Sequence, residues 1–239
     1  MAKTSFIMRL VEIKKNHIGT GLLVESDGFI SQSVGDNKRL CESVDLNSPD
    51  GLNLPNPFVV DAVFQKCGIE NANGRIYPEE VLKPQVEKYL QKVAERRGYG
   101  EANHPESSSI DLDRIALNIV ELHWEGHTLV GKIELPLSPG FRRFGLITCK
   151  ADLLANWLLN DLKIGVSSRG LGSVEQKYGK YIVGDDFELI CWDAVSDPST
   201  PGAWIGKTPE ELQQYVESTE KKEKLITEKL SRFDEWLSK

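Results

Sequence analysis

Apolar residues run through most of this chain in short alternating or continuous blocks, and recur at helical spacing in only a few places. Strand-like segments are predicted at 5–13, 20–24, 58–64 (FVVDAVF), 115–122 (IALNIVEL), 127–135 (HTLVGKIEL), 179–184 (GKYIVG) and 186–195 (DFELICWDAV). Trp124-Glu125-Gly126 joins two of them as a hairpin. Between 43 and 57 the chain is rich in Ser, Asn, Asp, Pro and Gly, which predicts an irregular surface loop. The segment NANGRIYPEE turns at Asn73-Gly74 and starts a helix near Pro78, with Glu79 and Glu80 suiting its first turn. Pro84 fits a helix interior badly, so the main helix can instead begin there; it runs to Arg97, and Gly98 ends it. A second helix is predicted over 150–162, where Leu153, Leu154, Trp157, Leu158 and Leu162 recur at helical spacing.

After the Pro/Ser cluster DPSTPG at 197–202 the pattern changes in kind. Thr208-Pro209-Glu210-Glu211 is a strong helix start, and no Gly or further Pro follows. An imperfect seam of alternating three- and four-residue steps runs on to the end, broken by Thr219 and Glu223. The division expected is a domain over 1–205 and a charged helical tail over 206–239. That tail packs on its own domain or meets a partner; the pattern serves either.

Composition narrows the function class. A chain of 239 residues with 40% hydrophobic content can bury one sizeable core. The net charge of −7 argues against nucleic acid as the main partner, because phosphate binding needs a basic face. No apolar run is long enough to span a bilayer, and Arg9 and Glu12 interrupt the N-terminal apolar stretch, so neither membrane nor signal peptide is expected. The four cysteines (Cys41, Cys67, Cys149, Cys191) lie far apart with no C-x-x-C pair, and read as reduced thiols. No cofactor is called for.

Four histidines make the search for a base short. His17 lies in a polar turn. His123 and His127 flank the hairpin turn, and with His104 they offer three imidazoles to a metal, as in a metal hydrolase. His104 stands in the polar loop GYGEANHPESSSIDLDR, where Pro105 disfavours helical geometry. The other chemistry-bearing segment is KIGVSSRGLGS, residues 163–173. Ser167 and Ser168 sit there between a strand and a flexible Gly170-Leu171-Gly172. A nucleophilic serine needs a base within reach and backbone N–H donors for the oxyanion, and glycines let backbone come close. No G-x-S-x-G elbow is present, which counts against an α/β-hydrolase. Cys191 as nucleophile is disfavoured by its place inside an apolar strand.

The ordered set NANGRIYP, GEANHPES, GVSSRGLGS and DFELICWDAVSDPSTPGAW, spanning about 58–205, resembles the prohead core proteases of myovirus-type tailed phages. These are similar in fold to herpesvirus assembly proteases. The resemblance implies an α+β fold: a mostly antiparallel barrel-like sheet with flanking helices, plus the C-terminal helix. GVSSRG fits the family's nucleophile pattern in the register that makes Ser167 the nucleophile, and the NHP motif makes His104 the base. The oxyanion donors are then the backbone N–H groups of Ser168, Arg169 and Gly170, with Arg169 adding charge or bracing the loop.

Related viral proteases carry their orienting residue on a following strand, which suggests Asp193. Alternation along 187–195 places Phe187, Leu189, Cys191 and Asp193 on one face, where a carboxylate needs a partner such as an imidazole. Asp185, Asp186, Asp197 and Glu188 are its rivals. What the resemblance further implies is a protease packaged in the procapsid in the host cytoplasm. It cuts scaffold and core proteins, the major capsid protein precursor and itself, and is capable of self-association, with relatives favouring cleavage after an acidic residue. A non-catalytic assembly protein of related fold is the rival reading.

Overall fold

The structure, a computed structural model, describes residues 19–24 and 54–206. The strand expected at 5–13, most of the loop at 43–57, the helical tail, His17 and Cys41 lie outside these residues. The described strands are β1 (Gly19–Val24), β2 (Phe58–Lys66), β3 (Arg75–Ile76), β4 (Tyr99–Glu101), β5 (Ile115–Glu125), β6 (Thr128–Leu135), β7 (Gly165–Lys177), β8 (Lys180–Val183) and β9 (Glu188–Val195). The helices are α1 (Glu79–Ala94), α2 (Pro139–Phe144) and α3 (Lys150–Leu159).

The class is α+β as expected, but the strands form two sheets rather than one closed barrel. One sheet has the order β1-β7-β8-β3 with β9 also paired to β7, and the other has the order β2-β6-β5-β4. All ladders are antiparallel except β3 with β8. Among the described residues the backbone pairing that links the sheets is limited to isolated bridges, Ala62 to Ile205, Gly165 to Trp204 and Ala102 to Ala194. A single apolar core joins them, with Phe64, Leu117, Ile119 and Trp192 from the sheets, Tyr89 from α1 and Leu158 from α3.

Helix α1 does not restart at Pro84. It runs unbroken from Glu79 through that proline, because Leu82, Val86 and Tyr89 form one buried stripe across it. Burial of the stripe outweighs a single lost backbone hydrogen bond near the N-terminus. The helix stops at Ala94, three residues short of the predicted Arg97. Helix α3 ends at Leu159, and Leu162 is exposed. The hairpin forms as predicted around Gly126, whose φ is +59°, with β5 extended to Glu125.

The larger correction concerns the glycine-rich segment after the serines. It is not a flexible loop: β7 continues as one strand from Gly165 to Lys177. Gly170 is needed for close packing, since a Cβ there would lie 2.4 Å from Cε2 of Phe187. Strands β8 and β9 both lie along one edge of β7, and β1 along the other.

Candidate active site

The site is assembled from the loop after β4 and the facing strands β7 and β9. Strand β4 must press close to β9. A Cβ on Gly100 would lie 2.0 Å from the carbonyl oxygen of Trp192, so only glycine fits. That approach lets the Glu101 N–H donate to Asp193 Oδ1 at 2.8 Å. Ala102 then bridges Ala194, and the Asn103 N–H donates to the Ala194 carbonyl at 2.8 Å. Asn103 takes a φ of +65°, a left-handed conformation that Asn tolerates better than most residues. The chain turns there and delivers His104 onto Asp193.

His104 Nδ1 lies 2.7 Å from Asp193 Oδ2, and both side chains are almost wholly buried. Burial pushes the Asp193 carboxyl up, but the His104 hydrogen bond, the charges of His104 and Arg169 and the Glu101 amide outweigh it and hold the pKa below its ordinary value. The carboxylate is therefore ionised and can only accept, so Nδ1–H is the donor. In the neutral imidazole this leaves the Nε2 lone pair as the basic position. Nε2 is buried and has no hydrogen-bond partner among the described residues.

The pleat separates the two serines. In the β7–β9 ladder Ser167 pairs with Asp193, Ser168 with Trp192 and Arg169 with Cys191. Directly opposed residues share a face and successive ones alternate. Ser167 thus lies on the face of the carboxylate that holds His104, whereas Ser168 lies on the face of Trp192, which is in the apolar core. Both serines are about 3% exposed.

The edge of β7 away from β9 is also informative. Among the described residues, β1 pairs with β7 as far as Arg169, and the 203–205 segment meets β7 at Gly165 and Val166. Ser167 and Ser168 therefore lie between the ends of these two partners. The Val166 N–H points to this edge, bonding Ala203 O at 2.8 Å, so the Ser168 N–H, two residues on, points the same way. Gly170 is taken up by Leu23 of β1.

The face predicted along 187–195 needs correction. Leu189 pairs with Gly170 and Cys191 with Arg169, so β9 carries one extra residue, Ile190, as a bulge. Phe187 and Leu189 consequently join Trp192 and Ala194 in the core, and only Cys191 and Asp193 share the buried polar face.

Arg169 is fully buried beneath the site. Its Nε lies 2.9 Å from Asp193 Oδ2 as an ion pair, without the alignment of a hydrogen bond. Nη2 donates to Glu101 Oε1 at 3.0 Å and Asp193 Oδ1 at 3.3 Å, and Nη1 to Ser107 O at 2.7 Å. Glu101 is equally buried and also accepts from Arg114 Nε and the Asp111 N–H, each at 2.9 Å. Sequence reasoning passed over Glu101; its position three residues before His104 in GEANHP was the available signal. Cys191 Sγ lies 3.3 Å from Asp193 Oδ1, and burial, then the Asp193 charge, push its thiol well up, which disfavours a thiolate.

The other histidines stand elsewhere. His123 lies between Glu121 and Glu125, each within 3.5 Å of a ring nitrogen. His127 Nδ1 is 3.7 Å from Cys67 Sγ and 3.5 Å from Glu79 Oε2. Glu79 is paired with Lys83, and burial raises the Cys67 thiol. The three imidazoles His104, His123 and His127 do not come together. A separate cleft of about 340 Å³ between α1 and the start of β9 is lined by Lys88, Lys92, Asp186 and Glu188, and contains none of His104, Ser167 and Asp193. Three of the rivals for the third role remain apart from His104: Asp186 accepts from Ser173, Glu188 is exposed and Asp185 is exposed.

A two-sheet α+β domain that sets a serine and a carboxylate opposite each other on adjacent strands, with a buried imidazole from a loop on the carboxylate, has the components of a hydrolase that works by acyl transfer. The family model described as prohead core protein serine protease matches residues 22–217, and the chain belongs to that family. It is 33% identical over 177 residues to the prohead core protein protease of Enterobacteria phage T4, covering 71% of this chain and 77% of the relative. A solved structure of the bacteriophage T4 capsid assembly protease shares the fold, with a TM-score of 0.55 and 24% identity. That likeness covers 74% of this chain and 98% of the solved one. No helix among the described residues is long and apolar enough to cross a membrane.

Proposed function

We propose that this chain is a serine endopeptidase of procapsid maturation, with Ser167 as nucleophile, His104 as general base and Asp193 as the residue that orients it. The observation that carries the reading is the 2.7 Å contact of His104 Nδ1 with Asp193, on the strand position directly opposite Ser167. His104 Nε2 takes the Ser167 proton as Oγ attacks a peptide carbonyl, and Asp193 stabilises the imidazolium so formed. Nε2 then protonates the leaving amine, and water hydrolyses the acyl-enzyme. The Ser168 N–H, on the edge of β7 away from β9 and between its described partners, is the donor best placed for the oxyanion. Among the described residues Nε2 has no hydrogen-bond partner. Substrate binding therefore completes the nucleophile–base hydrogen bond, as such contacts often tighten only in the complex.

Arg169 serves here as a brace. With its guanidinium buried against Glu101 and Asp193, its side chain is not available to a substrate. Gly170 likewise contributes packing against Phe187 rather than a free donor. The substrates are the scaffold and core proteins, the capsid protein precursor and the chain itself, inside the procapsid in the host cytoplasm. Any preference for an acidic residue before the cut then requires a basic group other than Arg169.

The test is co-expression with scaffold and capsid precursor, together with labelling by a fluorophosphonate. Ser167→Ala should abolish both cleavage and labelling while leaving the unfolding transition intact. Normal processing by that variant would sink the assignment.

A further inference from the structure

Glu101 is a charged group that the reaction as written does not use. Burying a carboxylate is costly unless it is paired, and this one is wholly buried. Its pairing is directional: Arg169 from β7 on one side, Arg114 from the start of β5 on the other, and its own amide on Asp193. The other titratable groups packed on the network are Cys191 from β9 and Tyr89 from α1, whose hydroxyl is pushed up by burial and then by the charges of Cys191 and Asp193.

The arrangement has an electrostatic consequence. Arg169 lies against the carboxylate that holds His104, with Nε 2.9 Å from Oδ2, the oxygen that accepts from the imidazole. An uncompensated guanidinium there would cancel the Asp193 charge that stabilises the imidazolium during attack. Glu101, 3.0 Å from Arg169 Nη2, supplies a second negative charge. The fully buried trio Glu101–Arg169–Asp193 then carries one net negative charge towards His104, while Arg114, the second cation on Glu101, has a side chain 38% exposed and is screened by water. The members of the trio lie in a water-poor setting, where such fields are weakly screened.

We propose that Glu101 is a positioning residue for the reaction: it neutralises Arg169 and anchors Asp193, so that the carboxylate's charge remains available to His104. This rests on the serine-protease reading. It assigns to GEANHP a second role besides presenting the base.

The experiment is fluorophosphonate labelling of the full chain, resolved into a saturating rate and a half-saturating probe concentration, per folded molecule. Glu101→Gln keeps shape and removes charge. It should lower the saturating rate by about ten- to a hundredfold, the usual cost of losing an outer partner of a functional group, and leave the half-saturating concentration unchanged. The double variant Glu101→Gln, Arg169→Gln removes opposite charges together and returns one net negative charge to Asp193. It should label at least about tenfold faster than Glu101→Gln alone, whereas a purely structural role makes the double variant the worse of the two. Unchanged labelling in Glu101→Gln, or a double variant that labels no faster, overturns the proposal. If Glu101→Gln does not fold, the double variant decides, and its failure to label counts against the proposal. Absence of labelling in the unaltered chain overturns the serine-protease reading itself. Labelling at Ser167 that is indifferent to Glu101 overturns only the role of Glu101.

Discussion

At the residue scale the site turns on which way each side chain of β7 and β9 points. Asp193 is wholly buried and is held by five contacts: His104, Arg169 through two nitrogens, the Glu101 amide and the Cys191 thiol. Asp193→Asn preserves the shape but offers a neutral amide, which cannot stabilise an imidazolium and does not enforce Nδ1–H on His104. Ser167 labelling is expected to fall by about 10³–10⁴-fold, the scale known for such a change in a serine triad. A loss below about tenfold would show that another group orients the base. How much of this was legible in the sequence follows from the same strands. The choice of Ser167 over Ser168 came from motif register, and the pleat supports it independently. Asp193 was suggested by the resemblance and supported by strict alternation along 187–195, and the alternation was faulty. The bulge at Ile190 shifts phase, so Phe187 and Leu189 face the core while Asp193 does not. A one-residue slip depends on what packs across the strand, here Phe187 against Gly170, and a single strand's pattern does not contain it.

At the element scale, Gly170, read as flexible in sequence, proves to be a point of close approach, as does Gly100. Gly100 brings β4 onto Trp192 O and Gly170 accepts Phe187, both in extended backbone. Pro84 misleads in the opposite sense, since the buried stripe of α1 outweighs it. The six-residue α2 was not foreseen, although Ser138 caps the Phe141 N–H, Pro139 stands in its first turn and Gly145 ends it at a φ of +69°; a carboxylate further along the chain then holds its start. Asp152, fully buried at the first turn of α3, accepts from the Ser138 N–H and Oγ–H, the Thr148 N–H and Oγ1–H and the Cys149 N–H. Burial works to raise its pKa, but the Ser138 and Thr148 donors outweigh this and hold it below the ordinary value. The sign follows. A carboxylate lowered on folding contributes stability that is fully present above its unfolded value of about 3.9, and lost as pH falls through the lower folded value. Asp152→Asn should cost about 1–3 kcal/mol near neutrality, because it turns an all-acceptor group towards donors. Urea midpoints of the two chains should differ at pH 7 and converge as pH falls below about 4. A gap that is the same at both ends of that range would contradict this account.

At the scale of the whole molecule, two sheets must stay in register for Ser167 and His104 to meet, since β7 and β9 belong to one sheet and β4 to the other. Two seams hold them. One is the Ala102–Ala194 bridge beside His104. The other is the strap at 203–206, which bonds to both sheets: Val166 N to Ala203 O at 2.8 Å and Ile205 N to Ile164 O at 3.0 Å on β7's side, Val63 N to Trp204 O at 3.3 Å and Gly206 N to Asp61 O at 2.8 Å on β2's side. Ala203 and Ile205 are buried, so the strap also contributes apolar area. The strap stands beside the boundary expected at 205, and the family match runs on to residue 217. A chain ending at residue 217 retains the strap and should unfold in one cooperative transition with Ser167 still labelled. A chain ending at residue 200 loses every strap bond at once, leaves the carbonyl of Asp61 and the amides of Val63 and Val166 without their partners, and frees one edge of each sheet. It should lose the sharp thermal transition followed by near-ultraviolet circular dichroism, and with it fluorophosphonate labelling. Equal cooperativity in the two truncated chains would mean that the β4–β9 seam alone keeps the sheets together.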